Sequence, residues 1–191
     1  MLTTEQLLNA YSTGFFPMAD EDDGEIWWHS PDPRAIIPIS KLSAPRSVLQ
    51  SIRKQNFQFK ISQNFEAVVI ACSNRDSTWI NDEIIEAYIK LNREGWAHSV
   101  ETYSDGELAG GLYGVVIGGA FFGESMFTII NNASKAAFFH LVSHLKKQGF
   151  ALLDSQYIND HTKMLGAVEI PKYMYMKLLD FAINLNCNFV I

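Results

Sequence analysis

The spacing of apolar positions changes character twice along the chain. Leu7, Leu8 and Tyr11 share one face of a first helix that Thr3 or Thr4 caps and Gly14 stops. Helical spacing then disappears through FFPMADEDDGEIWWHSPDPRAIIPI, and five of the six prolines fall at or before Pro45. Phe15, Phe16, Trp27 and Trp28 supply apolar surface to pin this stretch down. From residue 57 onward the pattern alternates between periods of two and of 3.6 residues. Residues 57–61 read as a strand, and 64–73 and 81–94 as helices, the second capped by Asn81 and ended by Gly95.

Strands over 98–103 and 107–111 flank Ser104-Asp105-Gly106, and strands over 112–117 and 120–124 flank Gly118-Gly119. The second pair is a two-residue hairpin, whose turn needs positive φ. In that register Gly114 faces Gly123, and opposed glycines let something approach the backbone closely. A helix over 133–148 stops at Gly149, and a strand over 150–157 follows. A short helix ends at Gly166, Pro171 opens a last long helix, and 188–191 reads as a terminal strand. Antiparallel strands, a crossover helix and a returning strand make an α+β fold on a mixed sheet flanked by helices. Residues 1–45 read as a small N-terminal subdomain with long loops, and 46–191 as the main domain.

Composition narrows the class. The 191 residues are 48% apolar and 19% charged, which excludes a disordered chain. No apolar run approaches the roughly 20 residues of a membrane span, and MLTTEQLL lacks the parts of a signal peptide. Cys72 and Cys187 are too few for a disulfide framework, so a reducing cytoplasm is the expected setting. The net charge of −6 speaks weakly against a nucleic-acid partner, but the charge is segregated. Residues 1–32 hold seven acids and no Lys or Arg, whereas 33–60 hold six bases and no acid. Phosphates respond to local potential, so the basic block is a candidate polyanion track. On charge alone, two solvated faces remain an equal alternative.

Three segments bear candidate chemistry. In the strand ALLDSQ, alternation puts Leu152, Asp154 and Gln156 on one face, where a carboxylate and an amide can handle a proton or orient a substrate. A merely wet strand end is the bland alternative. Glu124 stands among Phe121, Phe122, Phe127 and Met126, where an unpaired acid is expensive to bury. It therefore sits at a pocket mouth, is paired, or serves a turn. His140 and His144 have a spacing that can hold zinc, but no third ligand is evident, so they read as helix-face residues and no metal is expected. No nucleotide-phosphate loop of the GxGxxG or GxxxxGK[ST] kind and no Gly-x-Ser-x-Gly elbow occurs. Trp27, Trp28, Trp79 and Trp96 can stack on an adenine or line a pocket, with ordinary core as the alternative.

Several blocks, taken in order, resemble one family. They are YSTGFFPM (11–18), WHSPDPR (28–34), TWI (78–80), GWAHSVE (95–101), GGLYGV (110–115), FGESMF (122–127), NASK (132–135), LDSQ (153–156), NDHT (159–162), LGA (165–167) and EIP (169–171). The resemblance is to leucyl/phenylalanyl-tRNA–protein transferases. It implies a GNAT-like main domain and transfer of Leu or Phe, sometimes Met, from charged tRNA to proteins starting with Arg or Lys, marking them for degradation. It further implies Asp154 and Gln156 as a catalytic relay, with Glu124 holding the cationic acceptor or the reacting amine. Leu112, Phe121 and Leu141 are implied near the amino-acid pocket, Trp28 and Trp79 toward the terminal adenosine, and Asn159 among the substrate-binding residues. Arg34, Lys41, Arg46, Arg53, Lys54 and Lys135 are the implied tRNA contacts. No cofactor is implied, and the [QR]xxGx[GA] loop of acetyl-CoA users is absent. This chain starts close to its YxxGxFP block, so a reduced N-terminal subdomain is expected, and His29 stands where the family often has an aromatic. A non-catalytic module reading basic N-termini through Glu124 and Asp154 is the alternative from another class, and a CoA-dependent acetyltransferase is a third.

Overall fold

A computed structural model describes residues 2–75 and 78–190. The elements in chain order are α1 (Thr4–Ser12), β1 (Phe16–Ala19), β2 (Ile26–His29), β3 (Arg34–Ile36), a 3₁₀ turn (Ile39–Lys41), α2 (Arg46–Lys54), β4 (Gln58–Ile61), α3 (Phe65–Ser73) and α4 (Asp82–Arg93). They continue with β5 (Ala97–Ser104), β6 (Glu107–Ile117), β7 (Ala120–Thr128), α5 (Ala133–Gln148), β8 (Leu152–Gln156), α6 (Asp160–Met164), β9 (Val168–Ile170) and α7 (Lys172–Ile183).

Local chemistry sets the elements that matter for the site. Thr3 and Gln6 form a reciprocal capping box that starts α1 and so places Tyr11 in its last turn. Asn81 accepts from the Ile84 amide at 2.9 Å and starts α4, which carries Tyr88 inward. The hairpin at Gly118-Gly119 joins β6 to β7 in the expected register, with Gly114 opposite Gly123. What approaches Gly114 closely is a protein ring: a Cβ there would lie 2.4 Å from Phe121 and 2.3 Å from the Phe122 carbonyl oxygen.

Seven strands form one sheet in the order β4-β5-β6-β7-β8-β3-β9, and β1 and β2 form a separate hairpin. Every pairing in the large sheet is antiparallel except β7 with β8, which α5 connects as a crossover. This is the expected mixed sheet of an α+β fold. Its two faces carry two buried clusters. One joins α1, α3, α4 and α7 through Leu7, Tyr11, Val68, Tyr88 and Leu179, and the other joins α2 and α5 through Val48, Leu141 and Leu145.

Two expectations shift. Residues 34–36, inside the segment read as an N-terminal subdomain, form β3 between β8 and β9, so the chain joins the large sheet there, one strand in from its edge. Leu7, Tyr11, Phe16 and Ala19 belong to the same buried cluster as Val115 and Phe122 of the sheet. The strand expected over 188–191 is not formed at 188–190, and Ile191 lies outside the described residues. Phe189 is instead buried as a plug, its ring against Phe121 at 5.3 Å and His98 at 4.8 Å. Apolar burial of one side chain outweighs ladder pairing for so short a segment.

Candidate active site

The parallel pairing of β7 with β8 ends at Phe122 opposite Asp154. Beyond that pair no further ladder bonds join the two strands, and a cavity of about 950 Å3 opens between Gly123–Thr128 of β7 and Ser155–Gln156 of β8. Its walls include Leu112 and Phe121 from β6 and β7, Phe138 and Leu141 from α5, Leu153 from β8, and Leu165. These side chains present no hydrogen-bonding group, which suits an aliphatic or aromatic guest.

Glu124 enters the cavity because of a bulge. The β6–β7 ladder pairs Tyr113 with Ser125 and Gly114 with Gly123, leaving Glu124 as the extra residue. A bulge redirects a side chain that strict alternation would send elsewhere. Glu124 Oε1 accepts from Tyr11 Oη at 2.7 Å and from Gln156 Nε2 at 2.8 Å, and Oε2 accepts from Tyr88 Oη at 3.1 Å. Burial pushes its carboxyl up to about 7, with the Asp154 charge adding to the rise and the three hydrogen bonds opposing it. Tyr11 and Tyr88 are pushed well above the usual phenol range, first by burial and then by the Glu124 charge, so both keep their protons.

Asp154 is fully buried and fully engaged. Its Oδ1 accepts from Arg34 Nε at 3.0 Å and the Gln156 amide at 2.9 Å, and its Oδ2 accepts from Arg34 Nη2 and Tyr175 Oη, both at 2.7 Å. Arg34, itself 1% exposed, donates Nη1 to the Gly14 carbonyl at 3.0 Å and lies over the rings of Phe16 and Tyr175. Burial alone would lower the Arg34 pKa, and the Asp154 carboxylate more than offsets this. A bidentate, hydrogen-bonded pair of this kind offsets its desolvation, while losing one partner typically costs about 3–5 kcal/mol.

Gln156 shows what the ion pair holds. Its φ is +62°, in the left-handed region that non-glycine residues seldom adopt. The Asp154 Oδ1 bond to its N–H fixes that conformation, which turns the amide toward Glu124. The Nε2 faces a carboxylate, so the amide oxygen is the end left to accept from an incoming amine.

The structure brings Glu124, Asp154 and Gln156 together as expected, but their connections differ from a direct relay. The carboxylate on the Gln156 side-chain amide belongs to Glu124, whereas Asp154 bonds the Gln156 backbone. Strand alternation fails at Gln156 because its positive φ ends β8. Leu112, Phe121 and Leu141 lie in the cavity walls, as does Trp79, and Asn159 lines the cavity while capping α6 through Thr162 N at 2.8 Å. Trp28 does not line the cavity. It sits on the β1–β2 hairpin, 41% exposed, opposite Pro17.

Arg34 is a second correction. It cannot track tRNA phosphates, because it is sealed beneath Phe16 and Tyr175 as the partner of Asp154. Lys41, Arg46, Arg53 and Lys54 are exposed, and Lys135 is half-buried on the first turn of α5. Asn132 Nδ2 donates to Ser51 Oγ at 2.9 Å, which ties the basic helix α2 to the start of α5. The sequence reading did not single out Tyr11, Tyr88 and Tyr175, whose hydroxyls meet the two carboxylates. Tyr11 lies within the YSTGFFPM block (11–18), but nothing in its spacing separates it from core. Nothing in the local sequence marks Arg75, and the spacing of His161 within the NDHT block suggests no role for it. Arg75 Nη2 bonds the Met126 carbonyl and His161 Nε2 meets the Met126 sulfur at 3.1 Å, so both stand at the cavity rim.

The helix-face histidines are used in packing. His140 stacks on Phe59 at 4.4 Å, and His144 Nε2 meets the Phe189 carbonyl at 2.7 Å. Among the described residues no group of three His, Cys, Asp or Glu is arranged to hold a metal, and no helix is long and apolar enough to cross a membrane.

A family description reading Leucyl/phenylalanyl-tRNA protein transferase matches residues 36–180, and one for the N-terminal domain of the same transferase matches residues 1–32. The leucyl/phenylalanyl-tRNA–protein transferase of Gloeobacter violaceus is 51% identical over 188 residues, covering 98% of this chain and 97% of that protein. That of Chlorobaculum tepidum is 48% identical over 194 residues, covering both chains completely. Among solved structures, a ribosomal-protein-alanine N-acetyltransferase from Brucella melitensis biovar Abortus 2308 overlaps 56% of this chain and 86% of its own, with 12% identity and a TM-score of 0.43. By two matching family descriptions and by relatives near 50% identity over the whole length, this chain belongs to the leucyl/phenylalanyl-tRNA–protein transferase family.

Proposed function

We propose that this enzyme moves Leu or Phe, with Met as a further donor residue, from aminoacyl-tRNA to the α-amino group of proteins whose first residue is Arg or Lys. The product is a protein marked for degradation in the cytoplasm, and neither CoA nor another cofactor takes part. One observation carries this reading: an apolar cavity ends at a carboxylate–amide pair, Glu124 and Gln156. The apolar part suits the aminoacyl side chain, and the polar end suits an amine meeting an ester.

An aminoacyl ester is already activated, so positioning supplies much of the rate. The amine nitrogen adds to the ester carbonyl carbon, the bond from that carbon to the ribose 3′-oxygen breaks, and that oxygen leaves as a hydroxyl. Gln156 accepts an N–H of the amine through its amide oxygen, while Asp154 acts as a positioning residue through the Gln156 backbone. Glu124 adds the negative charge that favours a cationic acceptor. No covalent enzyme intermediate is needed.

The direct test uses labelled Leu-tRNA or Phe-tRNA with an Arg-starting peptide, set against acetyl-CoA with the same peptide. Label should pass from tRNA only, and no transfer from tRNA would overturn the proposal. The exposed Lys41, Arg46, Arg53 and Lys54, with Lys135 and the rim residue Arg75, are the proposed phosphate contacts. Transfer at subsaturating tRNA should therefore fall steeply with added salt, by roughly tenfold or more between low and moderate ionic strength. A flat salt response would count against this track.

Donor choice should also respond to the cavity wall. Leu141 is buried in α5 and lines the cavity. Leu141→Ala should raise kcat/KM for Phe-tRNA relative to Leu-tRNA by roughly tenfold, since a few methylenes of pocket volume change discrimination by ~1–3 kcal/mol. An unchanged ratio would place the aminoacyl side chain elsewhere.

A further inference from the structure

We propose that Tyr11, Tyr88 and Glu124 form a closed proton-holding ring, in which Glu124 takes the proton of the attacking amine and returns it to the ribose 3′-oxygen. This rests on the aminoacyl-transfer reading above and assigns the proton route within it. Glu124 is then a catalytic residue, and the two tyrosines are positioning residues that act through it.

The case is a count of protons. Three oxygen sites meet in pairs: Tyr11 Oη with Glu124 Oε1 at 2.7 Å, Tyr88 Oη with Glu124 Oε2 at 3.1 Å, and the two phenol oxygens with each other. Three contacts require three hydrogens, and two hydroxyls bring only two. With Glu124 ionised, both phenols can donate to it, but the contact between them then has no hydrogen. Both tyrosine side chains are fully buried, so water cannot fill the gap.

One added proton completes the set. The acid hydroxyl at Oε2 donates to Tyr88, Tyr88 donates to Tyr11, and Tyr11 donates to Oε1, all in one direction. The position of the proton follows from the same contacts. Oε1 already accepts from Tyr11 and Gln156, whereas Oε2 accepts from Tyr88 alone. A proton arriving at Oε2 needs only the Tyr88 hydroxyl to turn from Glu124 to Tyr11. Donation by the tyrosines to the ionised carboxylate opposes protonation, but the third hydrogen that only the protonated ring supplies outweighs this, and the cavity gives the amine access to Glu124.

Other charged or titratable groups around Glu124 come from several elements. Asp154 on β8 opposes its ionisation, Arg34 on β3 favours it but is bound to Asp154, and Tyr175 on α7 donates to Asp154. Tyr113 on β6 packs against the Tyr88 ring at 5.6 Å, and its buried hydroxyl has no partner among the described residues. None of these closes the ring.

The proton balance is complete within the proposed reaction. The amine nitrogen forms the amide bond and loses a proton to Glu124, the ester carbon–oxygen bond breaks, and the departing 3′-oxygen takes that proton. Glu124 ends as it began, and no other reactant is needed.

The test is the titration of Glu124 itself, followed by carbon NMR in protein carrying carboxyl-labelled glutamate. It is measured for the unchanged protein, Tyr11→Phe and Tyr88→Phe. If the ring holds the proton, each single change prevents closure and lowers the Glu124 midpoint, by about one unit, a tenfold weaker proton affinity. The acid limb of kcat/KM for transfer should move the same way. If the tyrosines are only donors to a carboxylate, their removal raises the midpoint, and a rise or no change overturns the proposal. Phenylalanine preserves ring volume, and either variant suffices if the other misfolds. Absence of any aminoacyl transfer by the unchanged protein would instead overturn the functional reading, which the NMR midpoint does not test.

Discussion

Asp154→Asn should lower stability and transfer together, with a fall in Tm of about ten degrees. The reason is Arg34. In the native protein its guanidinium is buried, and its Nε and Nη2 both face the Asp154 carboxylate. Asparagine removes the charge and turns an amide N–H2 toward donors, leaving a cation in the core. Breaking such a pair costs about 3–5 kcal/mol. In a chain of this size each kcal/mol moves Tm by roughly 2–4 °C. Transfer falls as well, because the anchor that holds Gln156 at positive φ is weakened.

A paired change separates the two effects. Arg34→Met with Asp154→Leu removes both charges and should recover much of the lost Tm, since apolar replacements of a buried pair are often neutral or stabilising. Transfer should stay low, because nothing then holds the Gln156 N–H. Thermal melts and transfer assays on the three proteins decide the matter. An Asp154→Asn enzyme with unchanged Tm and lost activity would mean that Asp154 takes part in chemistry directly.

Glu124→Gln should show the opposite pairing: transfer falls by roughly 10²–10⁴-fold while the fold holds or gains. Loss of a positioned acid or base typically costs that much in rate. Glutamine has the shape of the protonated acid and can donate to Tyr88 from Nε2 while accepting from Tyr11 at Oε1. It mimics the closed ring permanently and cannot exchange a proton.

The pH dependence gives this prediction a sign. Burial raises the Glu124 pKa from the ordinary 4.5 to about 7 in the folded protein. Between those values the folded state binds more protons than the unfolded state, so Glu124's contribution to stability falls as pH rises. The contribution is fully present below about 4.5 and lost above about 7. Melts of both proteins across that window should show the natural enzyme losing stability relative to Glu124→Gln. A constant difference between them would place the Glu124 titration elsewhere.

How much of this could be read along the chain varies by residue. Helix α4 announces itself through Asn81, its apolar face and Gly95, because capping and periodicity are local. The β6–β7 hairpin is equally local, since Gly118-Gly119 sets its register. Arg34 shows the limit. It stands in a run of bases, and that run suggested a phosphate contact. Its true partner lies 120 positions away, on a neighbouring strand of the sheet. Trp28 and Trp79 look alike in sequence, but one lies on the exposed hairpin and the other lines the cavity.

The sequence by itself determined the order of elements from β4 to α6, the α+β class, the hairpin register and the family, and it singled out Glu124, Asp154 and Gln156. All of these rest on short-range spacing or on blocks of adjacent residues. Only the tertiary structure decided which carboxylate meets which partner. The bulge at Glu124, the left-handed Gln156, the Arg34 pair and the three tyrosines arise where β3, β7, β8, α1, α4 and α7 converge. Burial at that convergence is what raises the Glu124 pKa and excludes water from the Tyr11 and Tyr88 hydroxyls. Burial is a property of packing among distant segments, and no local pattern of residues carries it.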